Sequence, residues 1–375
     1  MNTNTIEETQ LGRRDTRDGG RIDLWTSPAV ITPNNFVYKS LSNWAFNPAV
    51  GCSHACRFCY VPSAATIKQG PKLAEYGVSD PDAEWGEYVL LRPWDESKFL
   101  ASLRAAENTP DSKLRPDGNR AVIYSSTTDA YQAIRHPDPD RRRELSEHAR
   151  WVIRRSLELI RDHSTLNVRI LTRSPLAKLD FDLYRSFGPR LLFGMSLPTL
   201  RNDLARIYEP KAPAPSQRLA TLQAAKEAGV NVYVAVAPTY PECDEEDLRD
   251  TLSAVRDLEP FTVFHEPINI RAENVARIER HAESLGLKPV REHLRTEVFA
   301  DRESWQAHAI ESLRTVQRVA RDLDMERQLH LWPDKSLGSK VVLKRATQPE
   351  RFQRWLNGWW HRISEWPGTD SFEIR

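Results

Sequence analysis

The chain has little cysteine, no long apolar run and almost no net charge, and each scarcity bounds what it can be. Only 4 of 375 residues are cysteine. Three of them cluster and would leave an odd one out of any local pairing, so a disulfide-stapled secreted domain is excluded. No run of about 18 apolar residues occurs, so no transmembrane helix is expected. The first 20 residues are polar and charged and lack the apolar centre of a secretory signal. They read as a flexible arm, and the expected setting is the cytoplasm, away from membranes. With 53 Lys and Arg against 52 Asp and Glu, the net charge is +1. That balance neither demands nor excludes nucleic acid, because local patches decide such contacts.

What is present is concentrated at Asn47-Pro-Ala-Val-Gly-Cys-Ser-His-Ala-Cys-Arg-Phe-Cys-Tyr60, which holds Cys52, Cys56 and Cys59. A tight loop can turn three such thiolates inward around one small metal centre, and iron–sulfur clusters are held at short spacings of this kind. The usual cubane takes four cysteines, yet the next is Cys243. Either a remote group completes the site, or one metal is left open to a substrate or cofactor. Two rival readings stand beside this one: buried cysteines acting as small hydrophobes, and a Cys₃His zinc site using His54.

The rest of the chain alternates. Strands are expected at 44–50, 120–124, 168–172, 190–197, 230–237 and 261–265, with extra ones at 88–92 and 328–332. Helical spacing of apolar residues places helices at 95–107 (capped by Asp95), 140–162, 175–187, 215–228, 245–258 and 303–323. Strands alternating with helices imply a parallel sheet. In barrels built this way, chemistry gathers at the C-terminal strand ends. Those ends carry the cysteine loop, Ser126-Thr-Thr-Asp129, Thr172-Arg173, Ser196, Tyr240 with Cys243, and His265-Glu266 followed by Asn269.

The Cys-x₃-Cys-x₂-Cys spacing, with Phe58 before its last cysteine, resembles the signature of the radical S-adenosylmethionine (SAM) enzymes. The resemblance implies a partial (β/α)₆ TIM-type barrel over 36–270, after an N-terminal arm at 1–35. It also implies a [4Fe–4S] cluster on Cys52, Cys56 and Cys59 whose open iron is chelated by SAM. Phe58 and Tyr60 would lie beside SAM, and Ser126, Thr127, Thr128, Arg173 and Ser196 would contact it. Flavodoxin or ferredoxin would serve as electron donor. Within the superfamily the chain looks like the spore photoproduct lyase branch, through Thr128-Asp-Ala-Tyr131, Leu171-Thr-Arg-Ser174, Tyr208-Glu-Pro210 with Arg218, and Ala237-Pro-Thr-Tyr240. That branch carries a hydrogen-atom-donating cysteine where this chain has Ser126, so Cys243 with Tyr240 is the candidate substitute. His265, Glu266 and Asn269 are expected to meet substrate or place protons.

The extension 271–375 lies outside the resemblance. Between Asp334 and Arg362 it holds seven Lys and Arg against two acids, interleaved with Trp355, Trp359 and Trp360. Cations among aromatics suit phosphates and stacked bases, so DNA or RNA is an expected partner through 334–375. A helix packing its tryptophans inward beneath a solvated basic face fits the same pattern. The resulting expectation is a SAM-cleaving enzyme of nucleic acid or nucleotide-derived substrates. A radical SAM enzyme of small molecules or peptides, and a non-catalytic iron–sulfur or zinc protein that binds nucleic acid, remain the alternatives.

Overall fold

Runs such as Ala121-Val-Ile-Tyr124 and Val232-Tyr-Val-Ala235 are apolar at every position, as strands covered on both faces must be. A computed structural model of the chain describes residues 21–34, 41–115, 119–270 and 273–361. The expected arm at 1–20, and Arg362 with the residues after it, lie outside these.

Seven strands run parallel in the order β3 (Ser42–Phe46), β6 (Asn119–Tyr124), β7 (Asn167–Thr172), β8 (Leu191–Ser196), β9 (Val232–Thr239), β10 (Val263–Pro267) and β11 (Leu329–Leu331). β2 (Ile31–Pro33) adds antiparallel to β3. A second sheet is built from β1 (Ile22–Leu24), β5 (Val89–Leu91) and β4 (Ala49–Gly51). The fold is therefore mixed α/β around a parallel sheet.

The helices start where carboxylates can accept free N–H groups. Asp95 caps α1 (Glu96–Glu107), Asp138 caps α2 (Pro139–His163), and Asp244 caps α6 (Glu245–Arg256). α3 (Phe181–Ser186), α4 (Asn202–Tyr208), α5 (Pro215–Glu227) and α7 (Asn274–Ser284) complete the connections. Asp301 caps α8 (Arg302–Asp322), which packs on α6 and β10. α9 (Lys340–Arg345) and α10 (Pro349–Trp360) follow. The main core lies between sheet and helices, where Val122, Ile170, Phe193 and Val234 meet Leu157, Leu222, Leu252 and Leu313. The other sheet face buries Ala121, Leu192, Tyr233, Ala235, Phe264 and Trp332.

Four expectations are corrected. The strand expected at 44–50 is two strands in two sheets, β3 and β4, parted at Asn47-Pro48. Residues 22–24 and 31–33, assigned to the arm, pair with β5 and β3. The stretch 175–187 begins as a 3₁₀ turn (Pro175–Asp180) and is α-helical only over Phe181–Ser186. Residues 329–331, placed in a separate extension, form the seventh parallel strand of the main sheet.

Gly86 ties the two parts together. Its φ is +97°, and a Cβ there would fall 2.2 Å from Ala55 Cβ in the cysteine loop. Gly77 has φ +74° but open space around it. Gly86→Ala should therefore cost about 2–4 kcal/mol, from backbone strain plus overpacking, and Gly77→Ala about 1–2 kcal/mol from strain alone. Equal urea midpoints for the two variants would contradict this.

Candidate active site

The cysteine loop has no regular structure, so its backbone groups must find partners elsewhere. It leaves β4 through Gly51 (φ +90°) and turns at Ala55 (φ +57°). Ser53 N–H donates to Gln132 Oε1 (2.6 Å), and Gly51 O accepts from Thr128 Oγ1 (2.5 Å). Arg57 N–H donates to Tyr208 O (2.8 Å), and His54 O accepts from Lys211 N–H (3.3 Å). From α7, buried Arg277 donates to the carbonyls of Arg57 (3.2 Å) and Cys59 and pairs with Asp82. The nine residues of this loop, 52–60, are thus held from three sides.

The three cysteines line one side of a cavity of about 210 Å³. Six of the seven parallel strands, β6 to β11, send a residue to it from the strand or from the turn directly after it. Phe58 and Tyr60 sit beside the thiols, Ser126, Thr127 and Thr128 follow β6, and Arg173 follows β7. Ser196 ends β8, Ala235 and Ala237 come from β9, Glu266 and Asn269 from the end of β10, and Trp332 from the end of β11.

Two buried carboxylates order the charges around it. Asp129 accepts from Thr172 Oγ1 (2.7 Å), Tyr131 N–H (2.9 Å), Arg173 N–H (2.9 Å) and His54 Nε2 (3.0 Å). Burial pushes its carboxyl up, but His54 and these donors hold it down at about 2. Glu209 is 0% exposed in its side chain and lies between Arg173 Nε (2.6 Å) and Arg218. Burial raises its carboxyl as well, and the two guanidinium groups outweigh it and bring it to about 2. The Arg173 guanidinium also lies 5.6 Å from the Phe58 ring centroid.

The thiols are driven the other way. Burial pushes Cys56 up to about 12, raises Cys59, and with Asp129 beside it raises Cys52 well above the ordinary range. Burial therefore favours the protonated thiols. Among the described residues no three His, Cys, Asp or Glu side chains converge on a single-ion site. His54, the fourth ligand of the zinc reading, commits Nε2 to Asp129. Cys52, Cys56 and Cys59 all line this cavity, the first two buried and the third half-buried.

The remaining expected residues are placed unevenly. Tyr240 is buried and stacked on Tyr208 (4.0 Å, 6°) behind Phe58, outside the cavity lining. Cys243 also lies off the cavity, its thiol raised by burial with Asp247 beside it. His265 faces the helix side of β10, with Nδ1 on Val236 O (3.0 Å), and burial lowers it to about 3. The reason is the strand period of two, since Phe264 and Glu266 take the cavity side and leave His265 the other. Thr128 already donates to Gly51 O and accepts from Gln132, so it braces the loop. Ser126 and Thr127 are both bonded to Asn47.

Sequence reading places Asp129 at a candidate strand end and Glu209 in the Tyr208-Glu-Pro210 motif, but gives neither of them the part of ordering the neighbouring charges. It also missed Ser125, at φ +75° with its buried Oγ unpartnered among the described residues. Trp332 was missed too. It stacks on Phe264 (4.5 Å, 14°), and its buried Nε1 has no partner among the described residues.

No family model matches the chain. It is 32% identical over 268 residues to the uncharacterized protein ORF301 of Acidianus two-tailed virus, covering 67% of this chain and 78% of that one. It is 25% identical over 233 residues to the uncharacterized protein MJ0683 of Methanocaldococcus jannaschii, covering 62% and 72%. Among solved structures it is similar in fold to a mutant spore photoproduct lyase with bound AdoMet and dinucleoside spore photoproduct. The TM-score is 0.55 at 13% identity, over 83% of this chain and 80% of that one.

Glu209→Gln keeps the side-chain shape but leaves two buried guanidinium groups without their carboxylate, which should cost about 3–5 kcal/mol at pH 7. The unfolded carboxyl titrates near 4.3, so the wild-type advantage is complete above about pH 4.5 and lost as pH falls toward 2. Urea titrations that find the same difference at pH 3 as at pH 7 would contradict this.

Proposed function

We propose that this chain, which belongs to one family with the ORF301 protein of Acidianus two-tailed virus and has the radical SAM fold of spore photoproduct lyase, is itself a SAM-cleaving enzyme. Its parallel sheet would serve as the partial barrel of that fold. The observation that carries the reading is the cavity wall of three thiols with no fourth cysteine on it. When bound there, a reduced [4Fe–4S] cluster with one open iron would cleave SAM to methionine and a 5′-deoxyadenosyl radical, and that radical takes a hydrogen atom from substrate.

In this reading the chain's own groups bind, orient and exclude water. Cys52, Cys56 and Cys59 hold the irons. Arg173, locked by Glu209 at one edge, offers its remaining donors to the SAM carboxylate, a charge-assisted contact. Phe58 and Tyr60 cover the adenosyl side, and Ser125 replaces Thr128 as the hydroxyl free to bond the cofactor. Glu266, Asn269 and Trp332 form the opposite wall and meet substrate. An electron from flavodoxin or ferredoxin would reduce the cluster.

The substrate in this proposal is nucleic acid or nucleotide-derived, supported by the fold shared with a lyase whose solved complex holds a dinucleoside. With Ser126 at the position of that branch's cysteine and Cys243 off the cavity, quenching of a product radical by a protein thiol is not part of the proposal.

Anaerobically reconstituted wild type should release 5′-deoxyadenosine from SAM under dithionite. Cys52→Ala, Cys56→Ala and Cys59→Ala should each lose cluster iron and this activity by at least a hundredfold, and Cys243→Ala should keep both. A wild type that binds iron but yields no 5′-deoxyadenosine would favour a non-catalytic role and overturn the proposal.

A further inference from the structure

The tryptophans of the C-terminal region do not form the exposed stacking face that their spacing suggests. Trp359 is in the core, and Trp360 packs over Gly338 with its Nε1 on Pro333 O (2.8 Å). Trp355 alone of the three lines a groove, which has a volume of about 760 Å³ and lies between α8 and the pair α9–α10.

The groove is cationic with an aromatic floor. Arg314, Arg345 and Arg351 line it and are exposed, and Glu303 is its one acidic lining residue. Arg345 meets Glu303 at 2.8 Å, but both side chains are about half exposed (49% and 61%), so that pair is weak and easily exchanged. Arg314 lies 5.6 Å from the Phe352 ring, which stacks with Trp355 (5.7 Å, 20°). From Glu303 to Gln317 the α8 wall runs roughly 21 Å. One buried hydrogen bond links the helix at its upper end to a residue of the central cavity. Trp305, between Glu303 and Gln306, donates Nε1 to Ile268 O (2.9 Å), and Ile268 lines that cavity.

We propose that this groove holds a single-stranded nucleic acid. The three arginines take successive phosphates, a base lies against Trp355, which the buried Phe352 ring backs, and the strand runs toward the central cavity. Cations spaced along a cleft with an aromatic platform match the alternating charge and π-face of such a strand. An acidic peptide would use the cations but leave the platform empty. The groove lies outside the thiol cavity, so the proposal stands or falls independently of SAM chemistry.

The test is fluorescence anisotropy of a fluorescein-labelled oligo(dT) ten-mer with the reconstituted holoenzyme across a salt series. Wild type should bind with salt-dependent affinity. The surface triple variant Arg314→Gln/Arg345→Gln/Arg351→Gln should bind at least tenfold more weakly. Its log–log salt slope should be shallower by roughly 2, at about 0.7 per lost phosphate contact on a single strand, with 5′-deoxyadenosine release unchanged. Trp355→Leu should weaken binding without altering the slope. The proposal is overturned if wild type does not bind, if the triple variant binds like wild type, or if polyglutamate of matched charge competes as well as the oligonucleotide.

Discussion

A loop with neither helix nor strand must keep three thiols on one cavity wall, and the rest of the molecule is arranged around satisfying that loop's backbone. The small sheet β1–β5–β4 delivers it through Gly51, and Gly86 makes room for its left-handed turn at Ala55. The residues after β6 hold its start, Tyr208 and Lys211 hold its middle, and Arg277 holds its end. These three sets of partners come from three different crossovers of the main sheet. The sheet therefore does more than supply strand ends, because it fixes the spacing between the elements that grip the loop.

The electrostatics follow from the same burial. Carboxylates that would be neutral in an apolar interior are kept charged by neighbours, His54 and backbone donors for Asp129, two guanidinium groups for Glu209. The thiols, with no comparable support, are kept neutral. The cavity thus has a wall of neutral thiols and, next to it, a guanidinium aligned by Glu209 and stacked toward Phe58. Charge is placed before any ligand arrives, which is how a site lowers reorganisation cost.

Much of this was legible in the sequence, for physical reasons that also explain the gaps. Strands β6 to β10 are apolar runs flanked by turn residues, and such runs read plainly. The strands at β1, β2 and β4 are three residues long, too short for any period to show. The expected strand at 44–50 looked continuous, but Pro48 has no N–H for a ladder, and Asn47 turns its side chain to Ser126 and Thr127. His265 and Glu266 were read together, although neighbours on a strand cannot share a face. The cysteine wall was visible because cysteine is scarce. Across the cavity the sequence showed Glu266 and Asn269 but not Trp332, which comes from a strand about 65 residues beyond β10, and nothing local announces that pairing.

The C-terminal region shows the same limit. Composition marked it as basic and aromatic, but only packing separates Trp359, which stabilises the core, from Trp355, which faces a cationic groove. The central claim remains the open iron. It is tested most directly by EPR of the reduced, reconstituted protein with and without SAM carrying ¹⁵N at its amino group. The account predicts a changed cluster signal and ¹⁵N hyperfine coupling from direct ligation. A spectrum that SAM leaves unaltered, or protein that takes up zinc in place of iron, would contradict it.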